Sequence, residues 1–258
     1  MVKGLYTAFT GMINEQHRMD VLTNNLANAD TNGFKKEGAT SQSFDAILAY
    51  KIKDSSEGAH LSRRLGVNHP GVKIGEGYTD FSQGPIKSTG NPYDLALTDS
   101  GFFAVEFTSK AGETSVKYTR DGDFTLTQEG RLVTRDGDPV LDENGSYIEI
   151  DPRLTTEINS SGQIIQDGRV VATIQVTDFE NYDYLERYGE NYFQPIEGAQ
   201  ETEAPAEIRA GFLETSNISV VTEMVNMITV SRAYEANQKV ITTYDGTLDI
   251  AANQLGRI

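Results

Sequence analysis

The chain of 258 residues carries a net charge of −16, contains no cysteine and is 38% hydrophobic. The absence of cysteine excludes disulfides, thiolate metal sites and cysteine nucleophiles, and the strong negative charge argues against binding to a phosphate backbone. No run of 18 apolar residues could span a membrane, and no apolar stretch with a cleavage site follows the N-terminus. We therefore expect no nucleic-acid partner, no membrane insertion and no cleaved signal peptide.

The negative charge is concentrated in the middle of the chain. Residues 1–30 carry −1 and residues 211–258 carry −2, which leaves −13 for residues 31–210. Nearly neutral ends can pack against copies of themselves, whereas an acidic middle stays solvated and repels like surfaces. Ordinary variation of a solvated surface explains the same pattern equally well.

The N-terminal segment has the spacing of an amphipathic helix. Apolar side chains recur every seven residues at Leu5, Met12, Met19 and Leu26. A companion column that includes Leu22 is interrupted only by Glu15, and the two columns share one helix face. We predict a helix over residues 4–29 that is stopped by Gly33.

Residues 34–90 show no clear period. The segment 41–50 has the composition of a short helix, and 55–77 is rich in glycine and serine. We expect an extended connector between the N-terminal helix and the rest of the chain.

The period changes to two between residues 91 and 210, which predicts an all-β domain. Short β-rich runs occur at 102–107, 116–118, 124–126, 148–150, 164–166 and 170–176. Turn dipeptides separate them, and Asp167-Gly168 between two such runs is the strongest hairpin signal of the chain. Short strands at these intervals favour an antiparallel sandwich or barrel over a parallel sheet.

The C-terminal segment repeats the helical design at greater length. Its seven-residue column consists of Val220, Met227, Tyr234, Ile241, Leu248 and Leu255. A strict heptad drifts on a straight helix and therefore needs a partner, but the companion column that begins at Met224 is half polar. So narrow an apolar face favours weak contacts with several neighbouring helices over one strong coiled-coil partner. The alternative is that both terminal helices simply cover the β domain of their own chain.

No pattern of catalytic, cofactor-binding or metal-ligating residues emerges. The glycines at 71–77 are not followed by Lys-Ser or Lys-Thr, which a phosphate loop requires. The acidic turns do not have calcium-loop spacing, and the three histidines are too scattered for a zinc site. A hydrolase that uses carboxylates of the β domain remains an alternative, because spacing does not distinguish a catalytic acid pair from a solvated surface.

Three stretches of the chain, in the same order, resemble the flagellar rod and hook family. The first is NNLANADTNGFK at 24–35, the second includes DLAL at 94–97 and YTRDG at 118–122, and the third runs from SNI at 216–218 to RAYEAN at 232–237. The resemblance implies terminal helices in an inner coiled-coil layer and a β domain outside it. It also implies export by the flagellar type III apparatus to the basal body, outside the cytoplasmic membrane.

The sequence and the resemblance together predict an α+β fold with paired terminal helices and a central antiparallel all-β domain. We expect a helical domain formed by 1–33 and 211–258, a connector at 34–90 and a β domain at 91–210. Within the family that the chain resembles, its length favours a structural rod subunit over a hook subunit, whose outer domain is usually larger. The resemblance points to the distal rod first and the proximal rod second. Expected partners are copies of the chain and other rod or hook subunits. A secreted β-domain binding module or adhesin is the alternative.

Polar residues of the two terminal motifs complete the predicted assembly interface. Near the end of the first helix, asparagine amides can bond freed carbonyls or a neighbouring subunit, although ordinary fraying of a helix end explains each single asparagine equally well. In the second helix, Arg232 and Glu235 share a face and can form a weak local pair, or they can instead fix the register between subunits. With the apolar columns, the interface therefore includes Asn24, Asn25, Asn28 and Arg232.

Overall fold

The computed structural model describes residues 2–44, 47–51, 63–110, 112–189, 191–204 and 207–253. Two long helices lie at the ends, α1 at Val2–Ala27 and α2 at Val220–Asn253. The first strands are β1 Lys36–Ser43, β2 Ile47–Lys51, β3 Arg63–Asn68, β4 Val72–Asp80, β5 Ile86–Ser88, β6 Leu95–Leu97, β7 Phe102–Thr108, β8 Thr114–Thr119, β9 Phe124–Leu126 and β10 Leu132–Thr134. The later ones are β11 Thr156–Ile158, β12 Gln163–Gln166, β13 Arg169–Thr173, β14 Val176–Phe179, β15 Leu185–Tyr188, β16 Tyr192–Pro195, β17 Glu201–Glu203, β18 Ile208–Ala210 and β19 Phe212–Glu214.

The chain forms two compact units. The helical unit consists of Met1–Ala27, Glu37–Asp80 and Ser219–Ile258, and the β unit consists of Asn28–Lys36 and Phe81–Ile218. The three domains predicted from the sequence, with boundaries at residues 33, 90 and 210, remain a prediction. The α+β class and the antiparallel all-β centre between two terminal helices are confirmed.

In the helical unit, α1 and α2 pack against each other. Strand β1 pairs with β4, and β2 pairs antiparallel with β3. The described residues of the predicted connector are thus largely strand. The short helix expected at 41–50 is wrong, because β1 runs to Ser43 and β2 starts at Ile47. Hydroxyl groups explain the extended conformation: Thr40 Oγ1 donates to the carbonyl of Glu76, and Ser41 Oγ exchanges hydrogen bonds with Asn14.

The β unit is built around a six-stranded antiparallel sheet. Its strand order is β15-β16-β8-β7-β14-β17, and shorter antiparallel pairings join β9 to β10, β5 to β19 and β6 to β18. The predicted hairpin is confirmed, since β12 and β13 meet at Asp167 and Gly168, which have φ of 52° and 75°. The predicted strand at 148–150 is represented only by isolated bridges and hydrogen bonds, although Ile148 and Ile150 are buried.

Strand β7 is buried on both of its faces, which places the core of the β unit on either side of it. Phe103 and Val105 belong to one apolar cluster, and Phe102 and Ala104 belong to another. Alternate side chains of a strand point to opposite faces, so an almost continuous apolar run is what a doubly covered strand requires.

None of the helices in the described part of the chain is long and apolar enough to cross a membrane.

Candidate assembly surface of the terminal helices

Two glycines of α1 define how the two helices pair. A methyl group at Gly4 would collide with the phenol of Tyr244, and one at Gly11 would lie 3.1 Å from Nδ2 of Asn237. A step of seven residues forward on α1 therefore matches a step of seven residues backward on α2. The helices are antiparallel, and glycine at these positions leaves room for the side chains of Tyr244 and Asn237. The pairing as a supercoiled layer remains a prediction.

The same register continues to the other end of α1. Two further heptads lead to Asn25 on α1 and Glu223 on α2, and both residues have no exposed surface. Among the described residues of α2, only Glu223 and Val230 are buried. A 34-residue helix with so little buried side chain presents most of its surface to solvent.

The predicted apolar columns lie at the margins of this helix pair. Half-buried members are Leu5, Met12, Met19, Leu22, Leu26, Met227, Tyr234 and Ile241. Exposed members are Val220, Met224 and Leu248, together with the polar residues Asn24 and Arg232. Leu255 lies outside the described residues, and the half-buried Asn28 belongs to the β unit. The columns therefore keep apolar surface available on both helices, which is what an intersubunit seam needs.

Asn25 is used within its own chain. Its Nδ2 donates to the carbonyl of Glu37 at 2.8 Å, and its Oδ1 accepts from the amide of Glu37 at 3.0 Å. This two-way contact resembles one rung of a β ladder and joins the end of α1 to the start of β1. With no exposed surface, Asn25 supports the shape of the helical unit.

A buried ionic cluster in the β unit was not predicted. Lys35 Nζ lies 2.6 Å from Glu214 Oε1, and Arg120 Nη1 lies 3.4 Å from Glu214 Oε2. Lys35 also donates to the carbonyl of Ser82, and the amide of Gly84 donates to Glu214 Oε1 at 2.8 Å. All three ionic side chains are at least 96% buried, so each charge depends on these partners.

Two residues of this cluster, Lys35 and Arg120, lie in stretches that the sequence already singled out. Lys35 closes the motif at 24–35, and Arg120 lies in the motif at 118–122. Glu214 comes just before the third motif and carried no signal of its own. Their pairing was not predictable because two of the separations exceed 90 residues.

Gly33 fixes the path of the chain beside the cluster. It has φ of 65°, and a methyl group there would collide with the backbone of Arg120 and Asp121. Its amide donates to the carbonyl of Glu214 at 2.8 Å. Because α1 has already ended at Ala27, Gly33 makes a backbone contact within the β unit and is not the helix stop that was predicted.

An acidic cavity of about 500 Å³ lies next to Gly33 in the β unit. Aspartates 30, 121, 123 and 136 line it together with aromatic rings of Phe107, Tyr188 and Tyr192. Asn191 Nδ2 donates both to the carbonyl of Asn32 and to Asp121 Oδ2. Burial, reinforced by the charge of Asp123, raises the pKa of Asp121 to about 6. No set of three or more metal-ligating side chains is found in the described part of the chain.

Comparison with known proteins gives three family matches in chain order. Residues 5–35 match the family described as flagella basal body rod protein, and residues 96–172 match the D1 domain of flagellar hook protein FlgE/F/G. Residues 209–255 match the C-terminal family of flagellar basal body rod FlgEFG proteins. The matched stretches contain α2, nearly all of α1 and much of the β unit.

Similar proteins cover the chain almost completely. Flagellar basal-body rod protein FlgG of Buchnera aphidicola is 34% identical over 96% of this chain and 98% of its own length. FlgF of Caulobacter vibrioides is 34% identical over the full length of both chains, and the flagellar hook-basal body complex protein FlhO of Bacillus subtilis is 31% identical over the full length of both. The chain therefore belongs to the family of flagellar basal-body rod proteins.

Proposed function

We propose that this protein is a structural subunit of the bacterial flagellar rod, located in the basal body and assembled through its terminal helices. The observation that carries the proposal is the shared full-length similarity to proteins named as rod components. The exposed apolar side chains on both helices support the mode of assembly, because large apolar groups on a helix face are typical of interaction surfaces. In this role the chain transmits rotation between the motor and the hook.

The partners that follow are copies of the chain and other rod or hook subunits. Basal bodies isolated from the source bacterium test this directly. We expect the chain to remain with the rod after extraction of the membranes, and cells that lack it to have no complete hook and no motility. Recovery of the chain only as a free monomer outside the cell, with intact flagella in the deletion strain, would favour the secreted binding module instead.

We further propose that the chain reaches the rod through the flagellar type III export apparatus. Cells that lack the export gate should retain the chain in the cytoplasm, whereas cells that lack only the hook should still export it. Within the rod we propose the distal segment first and the proximal segment second. Immunogold labelling of isolated basal bodies distinguishes the two, because label on the half nearer the hook supports the distal position.

A further inference from the structure

Three large apolar side chains near the start of α1 face solvent. Tyr6, Phe9 and Ile13 are between 41% and 46% exposed. Their spacing of three and four residues places them on one stripe of the helix. We refer to these three residues as the α1 patch.

A second exposed apolar stripe lies on the first two turns of α2. Val221, Met224, Val225 and Ile228 are between 49% and 74% exposed and again follow helical spacing. We refer to these four residues as the α2 patch. All four lie outside the heptad column that begins at Val220, and only Met224 belongs to its companion column.

The two patches lie far apart along the axis of the helix pair. The contacts of Gly4 with Tyr244 and of Gly11 with Asn237 place residue 239 beside residue 9, in the middle of the α1 patch. The α2 patch is centred near residue 225, about 14 residues away, which corresponds to about 21 Å at a rise of about 1.5 Å per residue. The patches of one chain therefore cannot cover each other.

We propose that the α1 patch of one copy packs antiparallel on the α2 patch of the next copy, displaced by about 21 Å along the helix axis. This inference rests on the proposed function and adds the surfaces that make contact. A second copy is the fitting occupant because antiparallel packing of these same two helices already occurs within the chain. The displacement also amounts to about two heptads. Because residues seven positions apart lie on nearly the same side of a helix, a shift of two heptads keeps the facing sides of α1 and α2 matched.

The displacement decides what kind of assembly forms. A contact between two different patches leaves one patch of each kind free at the ends of any oligomer, so growth continues. Translation along the axis prevents closure into a pair or a flat ring. Each patch exposes on the order of a few hundred Å², below the roughly 800 Å² per partner of stable complexes. A dilute chain therefore stays monomeric, and subunits add where several neighbours meet.

Disulfide trapping tests the contact, because the natural chain contains no cysteine. In the double variant Phe9→Cys with Val225→Cys, the two positions are about 21 Å apart within one chain but adjacent between copies. A disulfide needs Cα atoms roughly 4.4–6.8 Å apart, so only an intermolecular bond can form. Mild oxidation of the concentrated protein, and of basal bodies that contain it, should give a ladder of dimers, trimers and longer species. An equal mixture of the two single variants should give dimers only.

The matched control is Phe9→Cys with Arg232→Cys. Arg232 is also exposed on α2 but lies seven residues beyond Val225, about 10 Å off the expected register. This pair should give no ladder. The inference is overturned if the control cross-links as well as the test pair, or if either single variant forms dimers with itself. If basal bodies contain the variant but show no ladder, the inference fails while the proposed function stands. Absence of the unsubstituted chain from basal bodies would refute the proposed function.

Discussion

Lys35 and Glu214, which are 179 positions apart in the chain, form a buried ion pair with 2.6 Å between Nζ and Oε1. The pair joins the segment that follows α1 to the segment that precedes α2, both within the β unit. Arg120 shares the same carboxylate. Residues of all three matched stretches thus meet at a single glutamate.

Replacing Glu214 by glutamine should strongly destabilise the β unit. The change removes the carboxylate shared by Lys35 and Arg120 and leaves an excess of positive charge in a dry site, which costs about 3–5 kcal/mol. Urea denaturation followed by circular dichroism measures the loss. Glu143→Gln, at an exposed turn, is the control and should change the free energy of unfolding by less than about 0.5 kcal/mol. Equal stability of the two variants would show that the cluster contributes nothing.

Gly33→Ala should be more destabilising than Gly145→Ala. Both glycines have similar positive φ, 65° and 72°, so alanine suffers the same backbone strain of about 1–2 kcal/mol at each position. Only at Gly33 does the new methyl group also collide with the backbone of Arg120 and Asp121, whereas Gly145 has open space. We expect thermal unfolding to show a clearly lower Tm for Gly33→Ala. Identical Tm values would mean that the chain path at Gly33 shifts without cost.

The fragment 81–218 should fold without the terminal helices and be more stable than the fragment 91–210. The shorter fragment loses the pairing of β5 with β19 and removes Glu214, so Arg120 is left buried without its carboxylate. Thermal melts of both fragments test this expectation. A featureless melt of 81–218 would show that the helices, or the segment 28–36, are required for the core.

Asp121→Asn should stabilise the protein near neutral pH, and the gain should disappear in acid. Burial raises the pKa of Asp121 from its ordinary 3.8 to about 6, so the folded state is penalised whenever the carboxyl is ionised. The penalty is present above pH 6 and fades as pH falls through 6 towards 4, and a shift of this size corresponds to at most about 3 kcal/mol. Urea titrations at pH 8, 6 and 4.5 measure the difference. Asp167→Asn, at an exposed turn, is the matched control. A gain independent of pH would exclude the titration of Asp121 as its cause.

Amides of the terminal helices should exchange faster than those of β7 in the dilute monomer. The described part of α2 buries only Glu223 and Val230, whereas β7 is covered on both faces. Regions with few buried apolar contacts open most often, so we expect a difference of about tenfold or more. Hydrogen exchange with mass spectrometry on residues 5–27, 102–108 and 220–253 gives the comparison. Equally slow exchange in a demonstrated monomer would show that the helices are already fully stabilised within one chain.

Local sequence patterns were sufficient for the elements that depend on short-range chemistry. The seven-residue columns predicted both helices, since helical spacing is a property of adjacent turns. Asp167-Gly168 predicted the hairpin of β12 and β13 because a tight turn needs residues that accept positive φ. The short helix at 41–50 was wrong because Ser41 and the preceding Thr40 find hydrogen-bond partners on α1 and in β4, which local propensity does not reveal.

The tertiary structure decided which side chains are buried and which distant residues they contact. The sequence by itself determined the apolar columns, the β-rich centre and the family motifs. It did not determine that Gly4 and Gly11 set the register of the helix pair, that Asn25 is enclosed, or that Lys35, Arg120 and Glu214 share one buried site. Contacts of this kind join residues far apart in the chain, and their energies depend on burial that no local pattern specifies.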